Sequence, residues 1–250
     1  MMKPAVLVTG GAKRIGAAIC RAFGQAGWHV IIHYGRSQGA AQALADELPS
    51  AETRQCDLAD QAASLNLVDD LAEQQENWRA LINCAGVFNR DLADSLDPAV
   101  FDEAMRVNAS TPVRMSQAYL AKARAPGGRR VIQLTDQKLL NPNPDFFSYT
   151  MSKHAVDAAI RMLAMAQTDP ADRIYGLAPG AILASHDQTE SEAEQSHRLN
   201  PLHRRTNASE LADAALFLSE GWLASGQTLY IDSGQHLVPQ PRDVLFLARE

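Results

Sequence analysis

The chain has 250 residues, 46% hydrophobic and 21% charged, with a formal net charge of −6. That length supports one large domain with a substantial core, and the acidic balance argues against a nucleic-acid surface. No apolar run approaches the roughly twenty residues a membrane-spanning helix needs, so neither nucleic acid nor membrane is expected as a partner.

Residues 5–9 form a short apolar run ended by Gly10 and Gly11, which predicts a first strand. The segment before it carries no signal-peptide core and no small-residue cleavage site, so a cytoplasmic protein is expected. Ile15, Ala18, Ile19, Ala22 and Phe23 then recur with helical period until Gly27. A second strand is predicted over 28–33, a helix over 40–48 ended by Pro49, and a weaker third strand over 53–56. Residues 61–75 read as helix and 80–83 as a fourth strand. Pro98, one residue after Asp97, opens a helical stretch reaching residue 123, with a break expected near Pro112. A fifth strand over 130–135, a long helix over 148–168, a sixth strand over 173–177, a helix over 207–218 and a seventh strand over 228–231 complete the pattern.

Strands separated by helices call for parallel pairing through right-handed crossovers. With no compositional break or repeat, residues 1–250 are expected to form a single α/β domain. It is a doubly wound, seven-stranded parallel sheet with helices on both faces. Ligands of such sheets bind beyond the carboxyl ends of the strands, and the unusual residues gather there. Cys20, Cys56 and Cys84 are odd in number and widely spaced, which predicts neither a disulfide framework nor a zinc site. No metal is expected.

Tyr149 and Lys153 are four residues apart and share one face of the long helix. A lysine beside a phenol can make it acidic enough for proton transfer. The pair alone is a weak signal, because most such pairs are a core tyrosine and a solvated lysine. Asp136 lies thirteen residues before Tyr149, just past an apolar run. The turn from Thr9 to Gly16 lacks the GxGxxG spacing, but it follows the first strand and opens the first helix, where a pyrophosphate would rest. An NAD site places an acid at the end of the second strand. This chain has no acid before Asp46 and offers His33-Tyr34-Gly35-Arg36-Ser37 there, with Lys13 and Arg14 on the neighbouring turn. Cations plus a hydroxyl suit a 2′-phosphate and favour NADP(H); the alternative is that Arg36 is a solvated loop residue.

The glycine turn, Asn83-Cys84-Ala85-Gly86, Asn108, Tyr149-x-x-x-Lys153 and Pro179-Gly180 occur in that order. Together they resemble the short-chain dehydrogenase/reductase family over about residues 4–237, which implies a Rossmann fold. Two departures from the family pattern stand out. Arg14 takes the place of the middle glycine of TGxxxGxG, and Asp136 replaces the serine expected thirteen residues before the tyrosine. Both are similar to the pteridine reductase branch, which includes bacterial dihydromonapterin and dihydrofolate reductases. HYGRS before an alanine-rich helix, and Phe88 after the Asn-Cys-Ala-Gly motif, point the same way.

The resemblance implies that Tyr149 supplies a proton, while Lys153 lowers its pKa and holds the nicotinamide ribose. It implies that Asn108 fixes a helix bend and a water linked to the lysine, and that Asp136 hydrogen-bonds Tyr149 or the substrate. Gly10, Lys13, Arg14, Ile15 and Thr135 belong to the implied cofactor set, with Tyr34, Arg36 and Ser37 at the second strand. Asp57 and Leu58 would meet the adenine edge, Asn83, Ala85 and Gly86 the adenine-side ribose, and Pro179, Gly180 and Ile182 the nicotinamide. Arg14, Phe88, Asp136 and Tyr149 would touch substrate, Phe88 either by stacking on a pterin or only by packing. A carboxylate at position 136 opposes tyrosinate but helps a basic imine nitrogen gain a proton, so a nitrogen heterocycle is favoured over a ketone.

The expected activity is NADPH-dependent reduction of a pteridine-type substrate. The alternatives are reduction of another carbonyl or imine, or NADP(H) binding without turnover, as a sensor or scaffold. Intact Tyr149, Lys153 and Asn108 speak against the last. The polar stretch 184–206, with Asp187, Glu190, Glu192 and Glu194, falls where the family keeps a substrate loop. Its acids are read as a solvated helix face, and His186, His197 and His203 as loop histidines without a ligand. The tail 235–250 ends in apolar Val244-Leu245-Phe246-Leu247, which must be covered. A neighbouring subunit of a homotetramer is expected to cover it, with folding back on its own chain as the alternative.

Overall fold

The computed structural model describes residues 2–184 and 188–249; His186 and Asp187 lie outside the described residues. Seven strands form one all-parallel sheet: β1 Ala5–Val8, β2 His29–Tyr34, β3 Ala51–Gln55, β4 Trp78–Asn83, β5 Arg130–Leu134, β6 Arg173–Pro179 and β7 Thr228–Ile231. Their spatial order is β3-β2-β1-β4-β5-β6-β7. The chain direction of strand addition reverses between β1 and β4, and a doubly wound sheet opens its ligand crevice there.

The helices are α1 Arg14–Gln25, α2 Gln38–Glu47, α3 Gln61–Gln74, α4 Pro98–Ala104, α5 Thr111–Lys122, α6 Phe147–Ala166, α7 Glu190–Ser196, α8 Ala208–Glu220 and α9 Val244–Leu247. They divide the core in two. Val6 and Val8 point to the side where Ile19 and Phe23 of α1 meet Leu211 and Leu218 of α8. Ala5 and Leu7 point to the other, with Leu71 of α3, Met115 and Tyr119 of α5 and Ile160 of α6. Burial on both faces is why central strands such as β1 and β4 read as near-continuous apolar runs rather than alternating. Among the described residues no helix is long and apolar enough to cross a membrane.

The predicted helix over 98–123 is three segments. Asp97 caps α4 by accepting hydrogen bonds from Ala99 N and Val100 N, with Pro98 in the first turn. Residues Met105–Ser110 then widen into a π-helix before α5 begins. The irregularity precedes Pro112 and contains Asn108. Such bulges expose backbone and re-aim side chains, and they cluster at functional sites.

The glycine turn between β1 and α1 is fixed by contact. Gly10 has φ +64°, and a Cβ there would lie 3.0 Å from Ala85 Cα. A Cβ on Gly16 would lie 2.3 Å from the Gly10 carbonyl oxygen, so the first turn of α1 rests directly on the loop. Arg14 occupies a left-handed conformation, φ 54°, at the position where the family pattern has glycine. A non-glycine residue there costs on the order of 1–3 kcal/mol.

The acids of α7 keep the expected solvated face and form ion pairs on it: Glu190 and Glu194 with Arg205, and Glu192 with Arg249. The first half of the apolar tail folds back on its own chain, the alternative to cover by a neighbouring subunit, while Phe246 and Leu247 stay half-buried. Val244 and Leu245 are buried. Arg242 forms a two-pronged ion pair with the buried Asp145, at 2.8 and 3.0 Å, and this draws the tail back across the molecule.

Gly16→Ala is expected to destabilise the protein by overpacking, by about 1–3 kcal/mol. Denaturant unfolding of the variant against wild type checks this.

Candidate active site

Asp136 follows β5 and begins a short 3₁₀ turn, Gln137–Leu139. Its Oδ1 accepts from Lys138 N at 2.8 Å, and its Oδ2 accepts from the Tyr149 hydroxyl at 2.7 Å. Lys153, one turn along α6 from Tyr149, is buried and donates to the Leu134 carbonyl at 2.6 Å. The carboxyl end of β5 thus receives both members of the Tyr–Lys pair.

The electrostatics correct one expectation. Burial, and then the neighbouring Asp136 carboxylate, hold the Tyr149 pKa well above its ordinary value. Lys153 does not reverse this, because its ammonium is spent on Leu134 O and lies 5.7 Å from the centre of the phenol ring. Burial also raises the Asp136 pKa and lowers that of Lys153. All three groups are therefore biased toward their neutral forms. Tyr149 is held as a phenol whose proton is already directed at a carboxylate.

Asn108 locks this arrangement to β4. Its side-chain amide donates to Val87 O at 2.9 Å and accepts from Val87 N at 2.8 Å. The same amide nitrogen donates to Ser152 Oγ at 3.0 Å. One side chain on the π-bulge thereby ties the loop after β4 to α6. A Cβ on Gly86 would come 3.2 Å from Asn108 Oδ1, so a side chain there would push this amide out of place by a few tenths of an ångström.

The cleft has a volume of about 460 Å³, within the range of small-molecule sites. Of the sequence-predicted residues, Gly10, Lys13, Arg14, Ile15, Ala85, Gly86, Phe88, Thr135, Asp136, Tyr149, Lys153, Pro179, Gly180 and Ile182 line it. Asn108 stands behind the lining. Tyr34, Arg36, Ser37, Asp57 and Leu58 are outside the lining, at the carboxyl ends of β2 and β3. Leu58 puts its side chain into the core, leaving its backbone for any ligand. Asn83 is corrected: its side chain turns away from the cleft and donates to Pro112 O and Ser116 Oγ on α5.

His33 is corrected as well. It adds no charge to the end of β2, because burial depresses its pKa to about 4. It accepts from Gly10 N at 3.1 Å, which leaves its other ring nitrogen to donate to Cys56 O. The neutral ring braces the glycine turn against β2 and β3. Cys84 lines the cleft as a thiol, its pKa pushed up to about 11 by burial.

Phe88 is one layer of an aromatic shelf. It stacks on Phe146 with centroids 4.0 Å apart and meets Tyr149 edge-on at 4.6 Å. It remains 37% exposed beside the cleft. Arg14 crosses the cleft mouth and donates to the Ala184 carbonyl at 3.1 Å.

Several contributors carried no sequence signal. Asp91 is buried and accepts from both the backbone and the hydroxyl of Ser148, which caps α6 one residue before Tyr149. Lys138 and Asp243 line the cleft, and so do three residues the sequence had placed elsewhere: Val244 and Leu245 of the apolar tail, and His197, whose buried ring lies in the wall rather than in a free loop.

The family description enoyl-(acyl carrier protein) reductase matches residues 10–236. The chain belongs to the short-chain dehydrogenase/reductase family. A FolM alternative dihydrofolate reductase 1 from Brucella suis, solved with NADP, superposes on this short-chain dehydrogenase/reductase with a TM-score of 0.88. It is 33% identical, over 95% of this chain and 96% of that one. A ketoacyl reductase of the granaticin polyketide synthase from Streptomyces violaceoruber is 27% identical over 94% of this chain and 97% of its own length. Pteridine reductase 1 of Leishmania tarentolae is also 27% identical, over 94% and 96%. Full-length identity therefore assigns an oxidoreductase of this family and does not separate ketone from pteridine reduction.

The raised Asp136 pKa yields a stability prediction. The folded protein holds this proton more tightly than the unfolded chain, so the contribution of Asp136 is intact below the ordinary carboxylate range. It is lost as pH rises through the folded-state value. Asp136→Asn is expected to melt at higher temperature than wild type at pH 7, with the gap closing toward pH 4. Thermal denaturation across that range checks it.

Proposed function

We propose that this short-chain dehydrogenase/reductase is an NADPH-dependent reductase of pteridine-type substrates. The observation that carries the reading is the 2.7 Å hydrogen bond from Tyr149 to Asp136. A ketone reductase needs a phenol ready to protonate an oxyanion and to share the resulting negative charge. A carboxylate bonded to that phenol opposes such charge. It favours a group that gains positive character, as the ring nitrogen of a dihydropteridine imine does when protonated. The 33% identity to the FolM proteins supports the same reading.

The residues present fit a nicotinamide dinucleotide. Gly10 and Gly16 bring backbone close at the amino end of α1, where a pyrophosphate is favoured. Thr135 Oγ1 is buried at the cleft without a hydrogen-bond partner. Arg36 is exposed beyond β2, and no acid precedes Asp46, which suits a 2′-phosphate. When bound, the cofactor supplies hydride to the electrophilic carbon. The protein does the rest. Asp136 in its neutral form passes a proton to Tyr149 as Tyr149 passes its own to the substrate nitrogen, so no tyrosinate forms. Lys153, held by Leu134 O, keeps its ammonium behind Tyr149 to position the ribose. Phe88 offers an aromatic edge of the shelf to a flat ring. Reduction of another carbonyl is the second reading, favoured by the equal identity to the ketoacyl reductase.

NADPH oxidation is expected with dihydropterins or dihydrofolate and not with simple ketones. Turnover of ketones alone would leave the second reading. Fluorescence titration is expected to show tighter binding of NADPH than NADH, and Arg36→Ala to narrow that difference; equal affinities in wild type would count against the cofactor assignment. Asp136→Ser is expected to lower pterin turnover by about 10²–10⁴-fold, the scale of a lost general acid–base partner. Unchanged pterin reduction in that variant would remove the argument from charge.

A further inference from the structure

Two carboxylates line the cleft among the described residues, Asp136 and Asp243. Asp136 belongs to the proton path. Asp243 comes from the C-terminal segment, and nothing in the reaction itself requires it. It is no stray surface acid. Lys138, buried to 4% exposure, donates its backbone N–H to Asp136 and its ammonium to Asp243 Oδ2 at 3.3 Å. One residue therefore fixes the separation of the two carboxylates. The Lys138 ammonium is anchored on its other side by the Asp145 carbonyl at 2.6 Å, and Asp145 in turn grips Arg242 and the Asp243 backbone N–H.

The hydrogen-bond accounting leaves Asp243 with capacity to spare. Its Oδ1 accepts from Leu245 N at 3.1 Å, and among the described residues its Oδ2 makes the long contact to Lys138 alone. A carboxylate offers about four acceptor positions, so part of this one remains for a ligand. Asp145, by comparison, is 1% exposed and taken up by Arg242 and Asp243 N. Asp243 is also close enough for its charge to act on Tyr149. A ligand seated in the cleft that Phe88, Tyr149 and Asp243 line therefore has an acceptor-only group at a fixed position beside it.

We propose that Asp243 is a specificity-determining residue that accepts hydrogen bonds from the N–H donors of a 2-amino-4-oxo pyrimidine edge, so that the C-terminal segment selects amino-substituted pteridines. This rests on the pteridine reading and narrows it. Such an edge presents adjacent N–H groups, and only an acceptor matches them. A site built to pair N–H donors rejects an analogue that lacks them, because its own acceptor is then left unpaired.

The test compares a 2-amino dihydropteridine with its 2-deamino counterpart, both in NADPH-coupled turnover by the full chain. Asp243→Asn is expected to raise KM for the amino compound by about 10- to 100-fold, the loss of a hydrogen bond to a charged group. KM for the deamino compound should change by less than about twofold, since it never used that bond. Asp243→Glu should restore part of the discrimination. Equal shifts for both compounds would mean that Asp243 only holds the tail, and would overturn the proposal. So would no shift for either. If the asparagine variant does not fold, wild type still decides by fluorescence titration: equal affinity for the two compounds overturns the proposal. A wild-type enzyme inactive on every dihydropteridine would remove the pteridine reading itself, and this inference with it. Activity with unaltered discrimination in the variant would remove the inference alone.

Discussion

The hydrogen bond between Tyr149 and Asp136 sets the terms for the rest of the cleft. A phenol next to a lysine alone would be drawn toward tyrosinate. Here the phenol is drawn the other way, because burial and the carboxylate both favour its neutral form. Burial biases the three titratable groups at the end of β5 toward their neutral forms, and the protein carries a poised proton in place of a stored negative charge. That arrangement costs stability at neutral pH, as functional sites often do. It is tolerated because Lys138 N and the Tyr149 hydroxyl satisfy the carboxylate oxygens.

Holding that pair in place takes long-range contacts on every side of α6. Asp91 caps its first turn, Asn108 ties it through Ser152 to the loop after β4, and Lys153 anchors it to β5. The parallel sheet makes this possible. With all seven strands running the same way, the loops that follow β1, β4, β5 and β6 converge on one edge, and side chains distant in sequence meet there. The π-helical segment before α5 serves the same end, since it brings Asn108 to the backbone of Val87, which a regular helix over 98–123 would not have been expected to do.

Much of this was legible beforehand. Strand and helix alternation follows from short apolar runs and helical period, and the runs are apolar because central strands such as β1 and β4 are buried on both faces. The glycine turn, Tyr149, Lys153 and Asp136 were legible from type and spacing, because a helix converts a four-residue interval into a shared face. The direction of the Tyr149 shift was not. It depends on which of two neighbours, Lys153 or Asp136, is nearer the hydroxyl, and on how far Lys153 is committed elsewhere. Asn83 shows the same limit: its place after β4 suggested a ligand contact, yet alternation along the strand turned its side chain to α5. His33, expected at the end of the second strand, proved to be a buried neutral brace.

By itself the sequence determined the sheet, the edge on which ligands bind, the family, and the residue types available for proton transfer, since all of these follow from local period and short spacings. Tertiary structure alone decided what surrounds those residues. Lys138 meets Asp243 across 105 positions, and Asp145 meets Arg242 across 97. No local pattern encodes such meetings, because they depend on the return of the C-terminal segment over the cleft. The placement of Asp243 in the cleft wall rests on those contacts, and the ionisation of Tyr149 on burial and on Asp136. Electrostatic energies are set by distance and burial, and neither exists until the chain has folded.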